Sequence, residues 1–67
     1  MKDLDITSQL IKKTREKSGL TQKQSADLVY VDLRTWQKWE YGERKINKAA
    51  FELFCIKTKQ KPFLKKA

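Results

Sequence analysis

The chain has 67 residues, 36% of them charged and 39% hydrophobic, and sixteen Lys and Arg against eight Asp and Glu give a net charge of +8. That length allows one domain with a thin core, since a chain this short buries only about 60% of the surface its unfolded form exposes, yet it is too apolar to stay disordered. There is no His and a single Cys, Cys55, which excludes a disulfide framework and the usual zinc-ligand sets and leaves acid–base and nucleophilic catalysis poorly served, so no enzyme is expected.

Helical signals recur along the chain, and no stretch alternates cleanly enough to predict a strand. The first helix is predicted over residues 7–18. Thr7 or Ser8 can cap it, Gly19 can end it in the left-handed conformation, and Leu10, Ile11 and Thr14 form its inner face. The second is predicted over 22–29. It opens on Thr21-Gln22-Lys23-Gln24, a Thr-x-x-Gln capping box, and turns Ala26 and Val29 inward. Asp32 caps a third helix over 33–41, with Val31 and Trp36 as its hydrophobic staple and Gly42 just past its end. Asn47 caps a fourth over 47–57, stapled by Ile46 and Phe51, with Ala50, Phe51, Phe54 and Cys55 as its inner stripe. Residues 58–67 are basic and carry no clear element signal. Residues 30–32 between the second and third helices are long enough only for a sharp turn, the spacing of a helix-turn-helix unit.

Here the sequence becomes specific. Gly19-Leu20-Thr21-Gln22, Ala26-Asp27-Leu28-Val29, Val31-Asp32 and Thr35-Trp36-Gln37-Lys38-Trp39-Glu40-Tyr41-Gly42 resemble the Cro/repressor-type (xenobiotic-response-element-like) helix-turn-helix family. The likeness covers about residues 6–57. In that family Gly-Leu-Thr-Gln opens the scanning helix and Trp-Glu-x-Gly closes the recognition helix. The resemblance implies an all-α, compact four- or five-helix domain of the lambda-repressor-like DNA-binding type at 1–57, followed by a basic tail at 58–67. It also implies a sequence-specific regulator of bacterial or phage origin that represses transcription from double-stranded DNA and uses no cofactor. Three positions depart from the family pattern. Tyr30 stands where Gly is common in the turn, Ser25 where a bulky apolar residue is usual, and Trp36 where a medium aliphatic is usual. Ser25 and Trp36 are expected to compensate in volume.

On the third helix, Trp36, Trp39 and Glu40 share one side, and Arg34, Gln37, Lys38 and Tyr41 share the other. The first set reads as core and the second as the face that meets the major groove. Arg34 or Lys38 suits guanine O6 and N7, Gln37 suits adenine N6 and N7, and Leu33 and Thr35 suit thymine methyls. Phosphate contacts are expected from Gln22, where family members grip the backbone, and from Tyr41, Arg44, Lys45 and Lys48. The resemblance further implies a structural ion pair between Arg15 and Glu40.

The expected partner is a two-fold operator bound by a homodimer, with half-sites about 34 Å apart. Residues 51–56 and the tail residues Phe63 and Leu64 offer little dimer surface, so pairing only on DNA is one form of this reading. Two rivals stand beside it. One is an antitoxin-like protein with a small protein partner, for which Leu28 is a candidate contact. The other is a non-specific basic module, favoured by the stretch from Lys57 to Lys66, which has five Lys and no acidic residue, at the more basic end of the chain. No apolar run reaches the ~18 residues of a membrane span and no signal peptide is read, so a cytoplasmic location is expected. Cys55 reads as a small apolar core residue.

Overall fold

The computed structural model describes residues 6–60, and within them the chain forms four α-helices and no strand: α1 (Ser8–Ser18), α2 (Gln22–Leu28), α3 (Leu33–Glu40) and α4 (Lys48–Lys57). None is long and apolar enough to cross a membrane.

Each helix starts on a side chain that accepts from the first turn. Thr7 accepts from the Leu10 N–H, Asp32 from Thr35 and Asn47 from Ala50. At α2 the capping box closes in both directions: Thr21 Oγ1 accepts from the Gln24 N–H at 3.0 Å, and Gln24 Oε1 accepts from the Thr21 N–H at 2.9 Å. Such caps satisfy donors that the helix itself leaves without partners.

The helix ends are less uniform. Gly19 and Gly42 take the left-handed conformation at φ 75° and 79°, and so do Tyr30 at 62° and Lys59 at 59°. Behind Tyr30, the Val31 N–H reaches Ala26 O at 3.0 Å and the Tyr30 N–H reaches Asp27 O at 3.2 Å. Behind Lys59, the Gln60 N–H reaches Cys55 O at 2.8 Å and the Lys59 N–H reaches Ile56 O at 3.2 Å. Both are Schellman closures, built here without glycine. Tyr30, which stands where a turn glycine was expected, is thus left-handed and carries the cost, about 1–2 kcal/mol. Lys57 Nζ braces the spot, donating to Leu28 O at 2.9 Å and to the Tyr30 hydroxyl at 2.8 Å.

The core gathers Ile11, Ala26, Val29, Trp36, Trp39, Ile46, Phe51, Phe54 and Cys55. Trp36 lies at its centre, edge-on to Trp39 at 5.7 Å between centroids and tilted against Phe54 at 5.1 Å. Two large aromatic contacts on one side chain offset the small number of core residues. Ser25 and Trp36 are both fully buried, and the Ser25 hydroxyl has no hydrogen-bond partner. Burial pushes the Cys55 thiol up to about 11, with Glu52 adding to the shift, as suits an inert apolar role.

The packing runs past the fourth helix. Residues 58–60, read as part of the tail, close α4, and Gln60 Nε2 returns to α1 by donating to Thr14 O at 2.6 Å. The packed unit therefore reaches Gln60; residues 61–67, with Phe63 and Leu64, lie outside the described residues. Residues 51–56 carry the inner stripe expected of the fourth helix. Phe51, Phe54 and Cys55 are fully buried core, and Ile56, at 55% exposure, is the large apolar side chain this segment leaves open.

Candidate functional site

The chemistry-bearing face is built on α3. Its two sides are held apart by packing: Trp36, Trp39 and Glu40 are buried, Arg34 and Tyr41 are exposed, and Leu33, Thr35, Gln37 and Lys38 are half-buried. Arg34, Gln37, Lys38 and Tyr41 line one shallow groove of about 180 Å³ together with Glu43. Four residues assigned to one face by helical periodicity therefore border one concave surface. Glu43 was not anticipated. The left-handed turn at Gly42 brings it back, and its N–H bonds to Lys38 O at 2.9 Å.

Beneath the face lies a network centred on Glu40. Arg15 Nε donates to Glu40 Oε2, and Arg15 Nη2 to Oε1 at 3.3 Å, the two-pronged geometry that suits a guanidinium. Arg15 also donates to Leu20 O at 3.0 Å, which ties α1 to the start of α2. Trp36 Nε1 donates to Glu40 Oε2 at 2.6 Å, and Gln22 Nε2 to Oε1 at 3.1 Å. Side-chain exposure is 16% for Arg15 and 1% for Glu40, so this is a buried charge pair with its remaining lone pairs filled. Burial alone would raise the carboxyl pKa. The bonds from Arg15, Trp36 and Gln22 outweigh it and hold Glu40 below its ordinary value. The same bond raises the pKa of Arg15. Both groups are charged across the physiological range.

Gln22, expected to contact phosphate, bonds to α3 in this structure. Its amide nitrogen points inward to Glu40 and also to the Tyr41 hydroxyl at 3.4 Å, while its Oε1 accepts from Gln37 Nε2 at 3.2 Å. The amide group is committed to α3 because Glu40 is an acceptor in need of donors. Thr35 is also partly committed: its hydroxyl donates to the Asp32 carboxylate, which this bond holds below its usual pKa. The methyl of Thr35 is untouched by that bond.

Arg44, Lys45 and Lys48 are exposed in the connection from α3 to α4 and at the start of α4. Arg44 and Lys45 line a second cavity of about 230 Å³, shared with Thr7 and Ser8 at the start of α1. Leu28, the candidate protein contact, is half-buried and packs against the core.

No family model matches the sequence. The chain is similar to the type II methyltransferase M.MspI of Moraxella sp, with 36% identity over 53 residues, 79% of this chain. Those residues make up 13% of that protein, so the likeness is to a small segment of a much longer relative.

Proposed function

We propose that the chain is a sequence-specific double-stranded DNA-binding regulator whose α2 and α3 form a helix-turn-helix of the lambda-repressor-like type. In this reading α3 enters the major groove. One observation carries it. The side of α3 that bears Arg34, Gln37, Lys38 and Tyr41 borders an open groove, while the opposite side is fixed to α1 and α2 through Glu40. A helix locked by a buried charge network, with guanidinium, ammonium and amide groups facing out, is suited to reading base edges. The basic loop with Arg44 and Lys45 supplies phosphate contacts, which set position rather than sequence. The net charge of +8 supports the same partner through long-range attraction.

The role is repression by occlusion, as a homodimer on a two-fold site, without catalysis or a cofactor. Methyl transfer belongs to the relative and is not carried over, because the shared stretch is 13% of that enzyme.

Selection from a random duplex pool across a salt series tests this. The expected result is an enriched inverted repeat with half-sites about one helical turn, 34 Å, apart. Salt-sensitive binding without enrichment would replace this reading with that of a non-specific basic module.

A further inference from the structure

The cavity of about 230 Å³ beside the start of α1 has two chemically distinct sides. Its apolar wall is made by Ile6, Ile11, Trp39 and Ile46. All of these but Ile6 are buried core residues, and Ile6 packs against them. On the other side, the left-handed turn at Gly42 carries the chain back over Ser8. A Cβ on Gly42 would lie 3.7 Å from the Ser8 Oγ. That return brings Arg44 and Lys45 to the cavity. Neither is held in an ion pair among the described residues. No Asp or Glu among the described residues lines the cavity, and Glu43, which precedes Arg44, borders the groove of α3 instead.

We infer that this cavity binds a small amphipathic carboxylate with an apolar body the size of one ring, its carboxylate resting on Arg44 and Lys45. A dry cavity of about 150 Å³ takes a benzene ring, so 230 Å³ leaves room for a ring and a carboxylate. A bare inorganic anion would leave the isoleucines and Trp39 against water, and a neutral ring would leave both cations without a partner. Sites for small ligands commonly pair an apolar wall with a few placed polar groups, and guanidinium and ammonium both favour a carboxylate. The site stands independently of the DNA-binding reading. Its consequence rests on that reading, in which Arg44 and Lys45 are phosphate contacts: a carboxylate on them competes with the DNA backbone. The ligand then acts as a release signal.

The experiment titrates the full chain with benzoate, benzamide and inorganic phosphate, following amide and indole NMR shifts. Benzoate is expected to saturate with a Kd of roughly 0.1–1 mM, the range of a one-ring ligand in a partly open site. Its shifts should gather at Ser8, at the Trp39 indole and at residues 42–46. Benzamide lacks the charge and phosphate lacks the apolar body, so each should bind at least about fivefold more weakly. Arg44→Gln and Lys45→Gln, both on exposed side chains, should each weaken benzoate about two- to fivefold. Ser8→Leu fills the cavity and leaves both cations in place, so it should abolish benzoate binding while duplex binding persists. On random duplex DNA at matched ionic strength, benzoate at about ten times its Kd should lower the parent's affinity about tenfold by mass action. Ser8→Leu should be unaffected. Benzamide or phosphate binding as tightly as benzoate overturns the proposal. So does a failure of benzoate to saturate, the result expected if a protein segment fills the cavity. If benzoate binds there and duplex affinity does not move, the release role falls. If benzoate binds and the chain holds no duplex at any salt concentration, the DNA-binding reading fails and the ligand site stands.

Discussion

The indole nitrogen of Trp36 donates to the Glu40 carboxylate at 2.6 Å, one turn away along the same helix. A medium aliphatic at this position would fill part of the same core and leave one lone pair of a buried anion unanswered. Trp36 therefore does two jobs: its rings pack on Trp39 and Phe54, and its N–H completes the shell around Glu40. Three helices meet at that carboxylate, through Arg15 of α1, Gln22 of α2 and Trp36 of α3.

Removing the carboxylate should be costly. Glu40→Ala leaves the Arg15 guanidinium half-sequestered with Leu20 O as its remaining partner, and breaking one side of a buried pair costs about 3–5 kcal/mol. For a chain of this size that is a large share of the total stability. Urea unfolding should show the midpoint falling sharply with an unchanged slope. A midpoint matching the parent would mean the pair contributes nothing net.

The pH dependence follows from the same group. Glu40 has a folded-state pKa below its unfolded value, so its contribution is complete above the ordinary carboxylate range. That contribution is lost as pH falls through the lowered folded value. Stability should therefore decline from about pH 5 toward pH 3, with protons taken up on unfolding. Asp32 is shifted the same way by Thr35, but it is exposed and contributes less. Glu40→Gln, already less stable at neutral pH, should show a shallower decline over this interval. Parallel curves for the two proteins would assign the acid sensitivity to other carboxylates.

Tyr30 and Lys59 hold left-handed backbone without glycine, so glycine at either position should relieve strain. The relief is about 1–2 kcal/mol, against roughly 0.4–1 kcal/mol of extra chain entropy in the unfolded state. Lys59→Gly should raise stability by about 0.5–1 kcal/mol. Tyr30→Gly should gain less, because it also gives up the contact with Lys57, whose ammonium lies 4.2 Å from the ring centroid. Tyr30→Val should lose stability, since a β-branched residue tolerates this conformation poorly. Thermal melts of the three variants check the order; a stabilised Tyr30→Val would contradict the strain account.

Helix starts were legible because capping is local chemistry. Thr7, Thr21, Asp32 and Asn47 each accept from a backbone N–H three residues on, and the residue types at that spacing announce it. Helix ends fell within a residue of expectation, the fourth at Lys57 itself, but the left-handed closure beyond it was not legible. Lys59 carried no signal, because its conformation is set by the Schellman bonds and by Gln60 reaching across to Thr14, a contact 46 residues apart in sequence. The same division holds at the candidate site. Periodicity alone put Arg34, Gln37, Lys38 and Tyr41 on one face. The turning of Gln22 away from that face toward Glu40 depends on how α2 packs on α3, which no single-helix pattern encodes. Trp36 as a donor was within reach, being four residues before a carboxylate expected to be buried.

Arg44 and Lys45 on one side, and Arg34 on the other, should separate positioning from reading once a preferred site is in hand. Each phosphate left without its cation should flatten the fall of log K with log salt by about 0.9 on duplex DNA. Arg44→Ala and Lys45→Ala are therefore expected to weaken binding evenly across sequences and to reduce that slope by about one apiece. Both side chains are exposed, so neither substitution disturbs the core. Arg34→Ala should instead cost about 1–3 kcal/mol at its own base pair and relax the preference there. Titrating the preferred duplex and a single-base variant at several salt concentrations distinguishes the two behaviours. If Arg34→Ala changes only the salt slope, the outward face of α3 grips the backbone and the bases are read elsewhere.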